Sequence, residues 1–345
     1  MKKIRTVLVG CGGISRSWLN AVRNNFADNI DLVGFVDLNP EAARNRADEF
    51  EVNDVWIGDD LAEAIDTLKP DAVFNCTIPA AHYALSKLAL EKGCHVLIEK
   101  PLTETVEQAK ELIALAEEKQ RVFSVIQNRR YHGAIQKVVR VLSSGVLGRL
   151  NTLNVDFYMA MHWKGFRAEM KHLLLMDMAI HTFDQARFMS GQNPTSVFCY
   201  DYNPHGSTVS HGSAAMAIFE MTDDVMFNYR GSWMAEGFKT SWYGIWRVIG
   251  DKGTLIWDGL EDIQVETTED FAPDARASSH MRSIYPVGKA SSSQTEHAGV
   301  IGDFIDAVQN GGSPLTAASD NIYSLAMVES ACLSAETGKR IEIKI

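Results

Sequence analysis

The stretch Ile4-Arg-Thr-Val-Leu-Val-Gly10-Cys-Gly12-Gly13-Ile14-Ser15 decides the fold class of the N-terminal part of the chain. It joins a short apolar, β-branched run to a glycine-rich turn and then to a helical pattern. Gly10 permits a tight turn, and Gly12 lets the backbone approach a pyrophosphate that faces the helix N–H groups. The third position of this fingerprint is Ser15 instead of Gly or Ala, and we expect slightly looser packing there. The stretch predicts a strand–turn–helix unit that binds a dinucleotide.

An acidic residue at the end of the next strand indicates which dinucleotide. The run Ile30–Asp37 predicts a second strand that ends in Asp37, close to the roughly 20-residue spacing expected of a ribose-binding acid. A carboxylate there accepts hydrogen bonds from both ribose hydroxyls and repels a 2′-phosphate. The sequence therefore predicts NAD, and not NADP, as the cofactor.

Strand and helix patterns alternate up to residue 127. One helical pattern, Val106–Ala116, follows a capping box of Thr105 and Gln108. The other strand-like runs are Asp71–Cys76, His95–Ile98 and Arg121–Ile126. This alternation predicts βαβ units and a doubly wound, parallel α/β sheet, the Rossmann arrangement, over residues 1–127.

The pattern changes after Asn128. An amphipathic helix leads into strand-like runs that are interrupted by a helix only at about Asp177–Met189. These runs are Leu150–Tyr158, Thr195–Tyr200, Ala214–Glu220, Val225–Gly231 and Tyr243–Ile249. Consecutive strands form antiparallel sheets. Residues 128–345 are therefore predicted to form an α+β domain with a mostly antiparallel sheet.

The last part of the chain combines a polar segment with two helical patterns. Thr267–Glu296 is rich in Thr, Ser, Glu and Asp, and it predicts a long surface loop, a kind that is often functional or mobile. Helices are predicted near Gly299–Gln309 and Ala318–Glu336. The alternation of Ile341–Ile345 predicts a final strand.

Composition argues against several classes of protein. The 345 residues include 33 Lys+Arg against 44 Asp+Glu, a net charge of −11 without a long basic block, which argues against nucleic-acid binding. No apolar run approaches the roughly 20 residues of a membrane-spanning helix, and the N-terminal apolar run is too short for a signal peptide. The five cysteines are scattered, and the histidines show no ligand spacing. We expect reduced thiols, a cytoplasmic location and no metal site.

Glu99-Lys100-Pro101 follows the predicted strand His95–Ile98, at the edge where open α/β sheets bind their ligands. Proline favours an extended backbone at Lys100. A lysine beside a nicotinamide and a substrate hydroxyl can donate a hydrogen bond to the hydroxyl oxygen and stabilise a developing alkoxide. The alternative is a solvent-facing lysine in a turn.

Asp177 and His181 are four residues apart on a predicted helix and therefore share one face. Histidine titrates near neutral pH, which suits proton exchange with a hydroxyl, and a carboxylate one turn away can orient its ring. The alternative is an ion pair on a helix surface.

A third group of candidates follows the first strand of the second domain. His162 and Trp163 are of types that hydrogen-bond to or stack on sugar rings, and Arg167 lies in the same segment. One interpretation is substrate binding, and the other is a polar connecting loop. For Trp233 and Tyr243, at the ends of predicted strands, packing in the core or in an oligomer interface is favoured.

The strands of the second domain carry apolar residues on both faces, for instance Ala217 and Phe219 on one face against Met216 and Ile218 on the other. Few helices remain to cover the second face. Because an exposed apolar sheet face is usually a subunit interface, we expect a homodimer or homotetramer.

Together these motifs resemble the glucose–fructose oxidoreductase, inositol dehydrogenase and rhizopine-catabolism (Gfo/Idh/MocA) family of oxidoreductases, over essentially the whole chain. The segments that carry the resemblance are Gly10–Ser15, Ile78-Pro79 with His82, His95–Pro101, Gln127-Asn128-Arg129, Asp177–His181 and Ala335–Lys339. A Glu-Lys-Pro motif after a Rossmann half, followed by Asp-x-x-x-His, is hard to meet by chance.

The resemblance implies a large open sheet in the second domain and a set of site residues. Lys100 and His181 would be catalytic, with Asp177 assisting. The residues implied to bind the cofactor are Gly10, Gly12, Gly13, Ile14, Asp37, Thr77, Pro79, His82, Glu99, Lys100 and Asn128. The substrate would contact Lys100, Asp177 and His181. His162, Trp163 and Arg167 are further substrate candidates on their residue types alone.

The resulting hypothesis is an NAD-dependent dehydrogenase whose substrate, a sugar, cyclitol or related polyol, binds between the domains. His181 would remove the hydroxyl proton as a hydride passes to the nicotinamide, with Lys100 bonded to the reacting oxygen and Asp177 orienting His181. One alternative is an enzyme that modifies sugars by transient oxidation and re-reduction with tightly bound NAD. The other is a non-catalytic NAD-sensing regulator, which would need only the Rossmann half.

Overall fold

The computed structural model describes residues 2–268, 282–287 and 296–345. The described residues group into two compact units, Met1–Tyr131 with Gln294–Leu325 and His132–Ser293 with Ala326–Ile345. This division differs from the predicted continuous domains 1–127 and 128–345. The chain returns to the first unit after it has passed through most of the second.

The first unit contains a six-stranded sheet in the order β3-β2-β1-β4-β5-β6, and all of its strand pairs are parallel. The strands are β1 (Ile4–Val9), β2 (Ile30–Val36), β3 (Trp56–Gly58), β4 (Ala72–Asn75), β5 (His95–Ile98) and β6 (Phe123–Val125). The helices between them are α1 (Ser15–Asn25), α2 (Pro40–Glu49), α3 (Leu61–Leu68), α4 (Pro79–Glu91) and α5 (Val106–Glu118). This order is that of dinucleotide-binding doubly wound folds, so the predicted parallel α/β class is confirmed.

A later segment completes the core of this unit. Helix α8 (His297–Asn310) packs against α1, and the Phe304 ring lies 6.0 Å from the Phe74 ring of β4. Phe74 in turn meets the Trp18 indole of α1 at 5.2 Å, and all three side chains are almost fully buried. Without α8, these aromatic surfaces would face water at a large cost in free energy. This packing is the physical reason for the discontinuous first unit.

The second unit contains a nine-stranded sheet in the order β14-β13-β12-β11-β7-β10-β9-β8-β15. Its strands are β7 (Leu150–Tyr158), β8 (Pro194–Tyr202), β9 (Ala214–Met221), β10 (Met226–Ser232), β11 (Ile245–Gly250), β12 (Gly253–Trp257), β13 (Ile263–Thr268), β14 (Arg282–Ile284) and β15 (Ile341–Glu342). The pair β7·β10 is parallel, and the other pairs are antiparallel. The predicted mostly antiparallel sheet is confirmed.

Helices cover one face of this sheet. They are α6 (Gly133–Ser143), α7 (Ile180–Ser190) and the part of α9 (Ala318–Thr337) that belongs to the second unit. Ile135, Phe183 and Met327 from these helices share one buried cluster with Phe219 and Trp246 of the sheet. The other face is different, because it leaves large apolar side chains partly exposed. They are Phe198, Tyr200, Met216, Ile218, Ile245 and Ile256.

The predicted loop Thr267–Glu296 is wrong in two places. Thr267 and Thr268 still belong to β13, and Arg282–Ile284 forms β14, which pairs with β13. Residues 269–281 and 288–295 of the predicted loop lie outside the described residues. The predicted final strand is shorter than expected, since only Ile341–Glu342 pairs, with β8. Within the described ranges, the helices are too short or too polar to cross a membrane.

Candidate active site

The glycine-rich turn after β1 has a backbone that only glycine adopts easily. Gly10 has φ +89°, and a Cβ there would approach the carbonyl carbon of Cys76 and the amide nitrogen of Thr77 at 2.7 Å. At Gly12 and Gly13, a Cβ would meet no described atom within 4 Å, so the turn is open on that side. A diphosphate can therefore approach the turn and the first N–H groups of α1, as a dinucleotide requires.

Ser15, at the third fingerprint position, bonds to the glycine-rich turn itself. Its side chain is fully buried, and its hydroxyl donates a 2.7 Å hydrogen bond to the Gly12 carbonyl oxygen. Serine thus ties the helix to the turn where glycine or alanine would leave this carbonyl without that donor. The hydroxyl is tolerated in this buried position because it is hydrogen-bonded.

Asp37 follows β2 with both carboxylate oxygens fixed. Oδ2 accepts a hydrogen bond from the Cys11 N–H at 2.8 Å, and Oδ1 accepts one from the Asn39 N–H at 2.9 Å. Two backbone donors therefore hold the carboxylate at the carboxyl edge of the sheet, the position of a ribose-binding acid. Leu38, next to it, is 94% exposed.

Glu99 fixes the backbone at Lys100. Its carboxylate accepts hydrogen bonds from the Trp18 indole N–H at 2.7 Å and from the Lys100 N–H at 3.1 Å. Burial raises the pKa of the Glu99 carboxyl above its ordinary value. The side chain is buried and bonded within the protein, and its predicted contact with the cofactor stays a prediction. Glu99 holds the strand end, and Lys100, half-buried, precedes Pro101 through a cis peptide bond.

His82 is also bonded within the protein, and its predicted contact with the cofactor stays a prediction. Its side chain is fully buried on α4. Nδ1 lies 2.7 Å from the Pro101 carbonyl oxygen, and Nε2 lies 3.1 Å from the Thr77 carbonyl oxygen. Burial lowers the pKa of the imidazole. His82 therefore ties the segment after β4 to the segment after β5, which carries Lys100.

Three further predicted cofactor residues lie at the ends of strands of the first unit. Thr77 is half-buried, and its hydroxyl donates to Asn75 Oδ1 at 2.6 Å. Pro79 begins α4. Asn128 begins the 3₁₀ turn Asn128–Tyr131, and its Nδ2 lies 3.4 Å from His297 Nδ1. Their contacts with a cofactor stay predictions.

In the second unit, Asp177 and His181 do not lie on one regular α-helix. Asp177 belongs to a π-helical segment, Leu174–Ala179, and His181 lies in the first turn of α7. The predicted α-helix is therefore wrong at its start. A π-helical turn adds one residue to each turn, and such turns are frequent at functional sites. Asp177 and the half-buried His181 are four residues apart, but they belong to helical segments of different geometry.

Asp177 is paired with Arg167, a partner that the sequence analysis assigned to the substrate. Arg167 Nε donates to Asp177 Oδ2 at 3.1 Å, and Nη2 donates to Oδ1 at 3.4 Å. The Arg167 guanidinium also lies 5.0 Å from the centre of the Trp163 ring, a cation–π contact. Arg167 thus fixes the carboxylate from ten residues earlier in the chain, and Trp163 packs against the Arg167 guanidinium.

His172, just before the π-helical segment, joins two carboxylates. Its Nδ1 lies 2.6 Å from Asp201 Oδ2, and its Nε2 lies 3.2 Å from Glu336 Oε1, which also binds Lys171. The hydrogen bond to Asp201 raises the pKa of His172. The His172 ring therefore links β8 and α9 to the start of the segment that carries Asp177, and no sequence motif indicated it.

Each of the remaining aromatic and polar candidates contacts another side chain of the protein. His162 is exposed and its Nε2 lies 3.0 Å from Glu236 Oε1. Trp233 is buried, as expected, with its ring edge-on to Trp163 at 5.5 Å. Tyr243 stacks on His132 at 4.2 Å. The described part of the chain contains no cluster of His, Cys, Asp and Glu suited to a metal ion.

The parallel sheet, the open glycine turn and the oriented acid at the end of β2 define a class of protein, the oxidoreductases with an NAD-binding Rossmann fold. Family comparison agrees. Residues 4–127 match the "Oxidoreductase family, NAD-binding Rossmann fold", and residues 135–256 match the "GFO/IDH/MocA C-terminal domain". The chain belongs to the GFO/IDH/MocA family, and it is an NAD-dependent dehydrogenase. The resemblance seen in the sequence and the predicted cofactor NAD are confirmed.

Relatives in this family have several substrates. The chain is 25% identical to a D-apiose dehydrogenase of Paraburkholderia graminis, over 100% of this chain and 91% of that one. It is 23% identical to a 1,5-anhydro-D-fructose reductase of Ensifer adhaerens, over 98% of each chain. Its fold is similar to an Agrobacterium radiobacter oxidoreductase solved with NAD+, L-tartaric acid and magnesium, with a TM-score of 0.85 and 20% identity over 99% of each chain.

Proposed function

We propose that the protein transfers a hydride between NAD and a secondary hydroxyl or ketone of a sugar, cyclitol or related polyol. The observation that carries this proposal is the second-unit pair of Asp177, held by Arg167, and His181, a titratable group at the start of α7. Two relatives named for activity on D-apiose and on 1,5-anhydro-D-fructose support the substrate class.

The protein's own groups divide the work in the proposed mechanism. When bound, NAD supplies the acceptor for a hydride from the carbon that bears the reacting hydroxyl. His181 takes the hydroxyl proton as general base, which suits an imidazole near neutral pH. Lys100 donates a hydrogen bond to the same oxygen and stabilises the developing negative charge. Asp177 orients His181, while Arg167 holds Asp177.

The residues proposed to hold NAD lie in the first unit. The N–H groups at Gly12, Gly13 and Ile14 would bind the pyrophosphate, and Asp37 would accept hydrogen bonds from the ribose hydroxyls. The fixed carboxylate of Asp37 supports a preference for NAD over NADP, because it repels a 2′-phosphate.

The test is a panel of sugars, cyclitols and sugar acids assayed for reduction of NAD. We expect free NADH to accumulate with at least one member of the panel. Conversion of a sugar without accumulation of NADH would instead indicate transient oxidation with tightly bound cofactor. NADH binding without conversion of any member would overturn the proposed substrate class.

We also propose that the partly exposed sheet face binds a second copy of the chain, giving a homodimer or homotetramer. Phe198 pairs with Ile218, and Tyr200 pairs with Met216, so the apolar side chains of β8 and β9 are adjacent on this face.

Buried, unpaired thiols at Cys11, Cys76, Cys94 and Cys199, with a fifth at the half-buried Cys332, support the reducing cytoplasm as the location.

A further inference from the structure

Arg46 is a buried charge that no sequence motif indicates. It lies on α2, facing away from solvent, with 6% of its surface exposed. Buried arginines are costly unless their donors are satisfied. Here the donors point at the glycine-rich turn. Nη2 donates to the Gly12 carbonyl oxygen at 2.9 Å and to the Cys11 carbonyl oxygen at 3.1 Å, and Nε is 3.4 Å from the latter.

Arg46 and Asp37 both form hydrogen bonds with the backbone of Cys11. The carbonyl of Cys11 accepts from Arg46, while the N–H of Cys11 donates to Asp37 Oδ2. Both polar backbone groups of Cys11 are therefore fixed by side chains from outside the turn. A rotation of this part of the backbone would break the contact to Arg46 and the contact to Asp37 together.

Glu49 balances the charge of Arg46. Its carboxylate binds Arg46 through Oε2 and Arg16, on α1, through Oε1. The hydrogen bond from Arg16 lowers the pKa of Glu49, so this carboxyl stays ionised at neutral pH. The guanidinium is thus neutralised by Glu49, and its remaining donors serve the turn.

We propose that Arg46 is a positioning residue for the dinucleotide, and that it sets both the affinity for NADH and the preference for NADH over NADPH. It draws the carbonyl oxygens of Cys11 and Gly12 away from the open side of the turn, where a negative oxygen would repel a pyrophosphate. Through the Cys11 backbone it also keeps the Asp37 carboxylate in the orientation that discriminates against a 2′-phosphate.

The experiment measures the dissociation constants of NADH and NADPH by fluorescence titration, with no substrate present. Arg46→Met keeps an unbranched, flexible apolar stem but removes the guanidinium and all of its donors. We expect its NADH dissociation constant to rise about tenfold, the scale of a lost hydrogen bond from a charged group, and the NADPH constant to rise much less. Arg46→Lys keeps the charge but not the planar fork, and we expect an intermediate result. Arg44→Met, an exposed position on the same helix, is the matched control and should bind as the unmodified protein does.

Thermal unfolding of the unliganded variants shows whether they fold, and Arg46→Lys provides the measurement if Arg46→Met does not fold. Unchanged NADH affinity in the variants overturns the proposal. Equal weakening of NADH and NADPH overturns it as well, because a general structural defect does not change their ratio. Unreduced NADH affinity in Arg46→Lys would show that a positive charge alone suffices. This result would also contradict the proposed positioning role of Arg46. The assay contains no polyol, so its outcome is independent of the proposed substrate.

Discussion

The two units differ in whether their functional groups are backbone groups or side chains. In the first unit, the groups proposed to meet the cofactor are backbone atoms of a glycine turn and a carboxylate held by two backbone donors. In the second unit, the groups proposed to act on the substrate are side chains, with Asp177 held by Arg167 and His181 at the start of a helix. Backbone groups are suited to bind a fixed ligand, whereas titratable side chains are suited to move protons. Substitutions in the first unit should therefore change cofactor binding, and those in the second should change turnover.

The largest effect is expected from His181→Ala. General base catalysis contributes roughly 10²–10⁴-fold, so turnover should fall by about that factor, while the NADH dissociation constant stays unchanged. The remaining rate should rise with pH, because hydroxide or ionisation of the substrate replaces the missing base. Steady-state kinetics across pH, with NADH titration, check both parts.

Lys100→Ala is the informative companion, since Lys100 belongs to the first unit but is proposed to act on the substrate oxygen. Its defect in turnover should persist at all pH values, because hydroxide cannot replace a hydrogen-bond donor. Nearly full activity of His181→Ala would overturn the mechanism and make Lys100 the leading candidate for the base.

Asp37→Ala should show the reverse behaviour, a change in binding. Loss of the carboxylate removes the acceptor for the ribose hydroxyls and the repulsion of a 2′-phosphate, so the preference for NADH over NADPH should narrow by roughly tenfold. Titration of both nucleotides measures this ratio. Equal affinities in the unmodified protein would refute the role of Asp37.

Arg167→Met should lower turnover by about tenfold without changing NADH affinity, because Asp177 loses both of its hydrogen bonds from the guanidinium. Arg167→Lys keeps a charge near Asp177 and should restore part of the rate. If Arg167 instead binds the substrate alone, the Michaelis constant should rise while turnover is kept.

Assembly through the open sheet face is tested by Ile218→Arg, which places a charge in the centre of the proposed interface. The mass measured by light scattering should fall by about half or more, from oligomer to monomer. Leu333→Arg, at a similarly exposed apolar position on α9, is the matched control and should leave the mass unchanged. A monomeric unmodified protein at micromolar concentration would contradict the interface.

The smallest effect concerns His172, whose pKa is raised by the hydrogen bond that its ring donates to Asp201. A raised pKa stabilises the fold below the ordinary histidine value of about 6.5, and this stabilisation is lost as pH rises through the raised value. His172→Asn should therefore be less stable than the unmodified protein at pH 6, by less than about 1 kcal/mol because solvent screens this partly exposed cluster. The difference should shrink at pH 9. Asparagine suits the positive φ of +49° at this position, and chemical denaturation at both pH values is the measurement.

The features that sequence predicts well are local. Gly10 and Asp37 each stand directly at a strand end, so the strand pattern alone places them at the carboxyl edge of the sheet. Strand β3 (Trp56–Gly58) was missed because three residues carry no period. The strands β12 and β13 were missed because the polar composition around them resembles that of a loop.

The features that sequence misses depend on distant partners. Arg46 and Cys11 are joined only by the fold, and the same is true of His172 and Glu336. Arg167 was assigned to the substrate, and its partner Asp177 was not identified, because the π-helical segment changes which side chains face outward. No period in the sequence signals the one extra residue in that turn.

The discontinuous core of the first unit also affects how the protein folds during its synthesis. The ribosome releases β1 to β6 early, but Phe304, which packs on Phe74, belongs to a segment made after nearly all of the second unit. Domains of nascent chains generally fold as units, starting from the N-terminus. Here the nucleotide-binding unit must wait with the aromatic surface of Trp18 and Phe74 uncovered until α8 has been translated. Its exposure to aggregation or chaperone binding is therefore set by the time needed to synthesise the unit inserted into it.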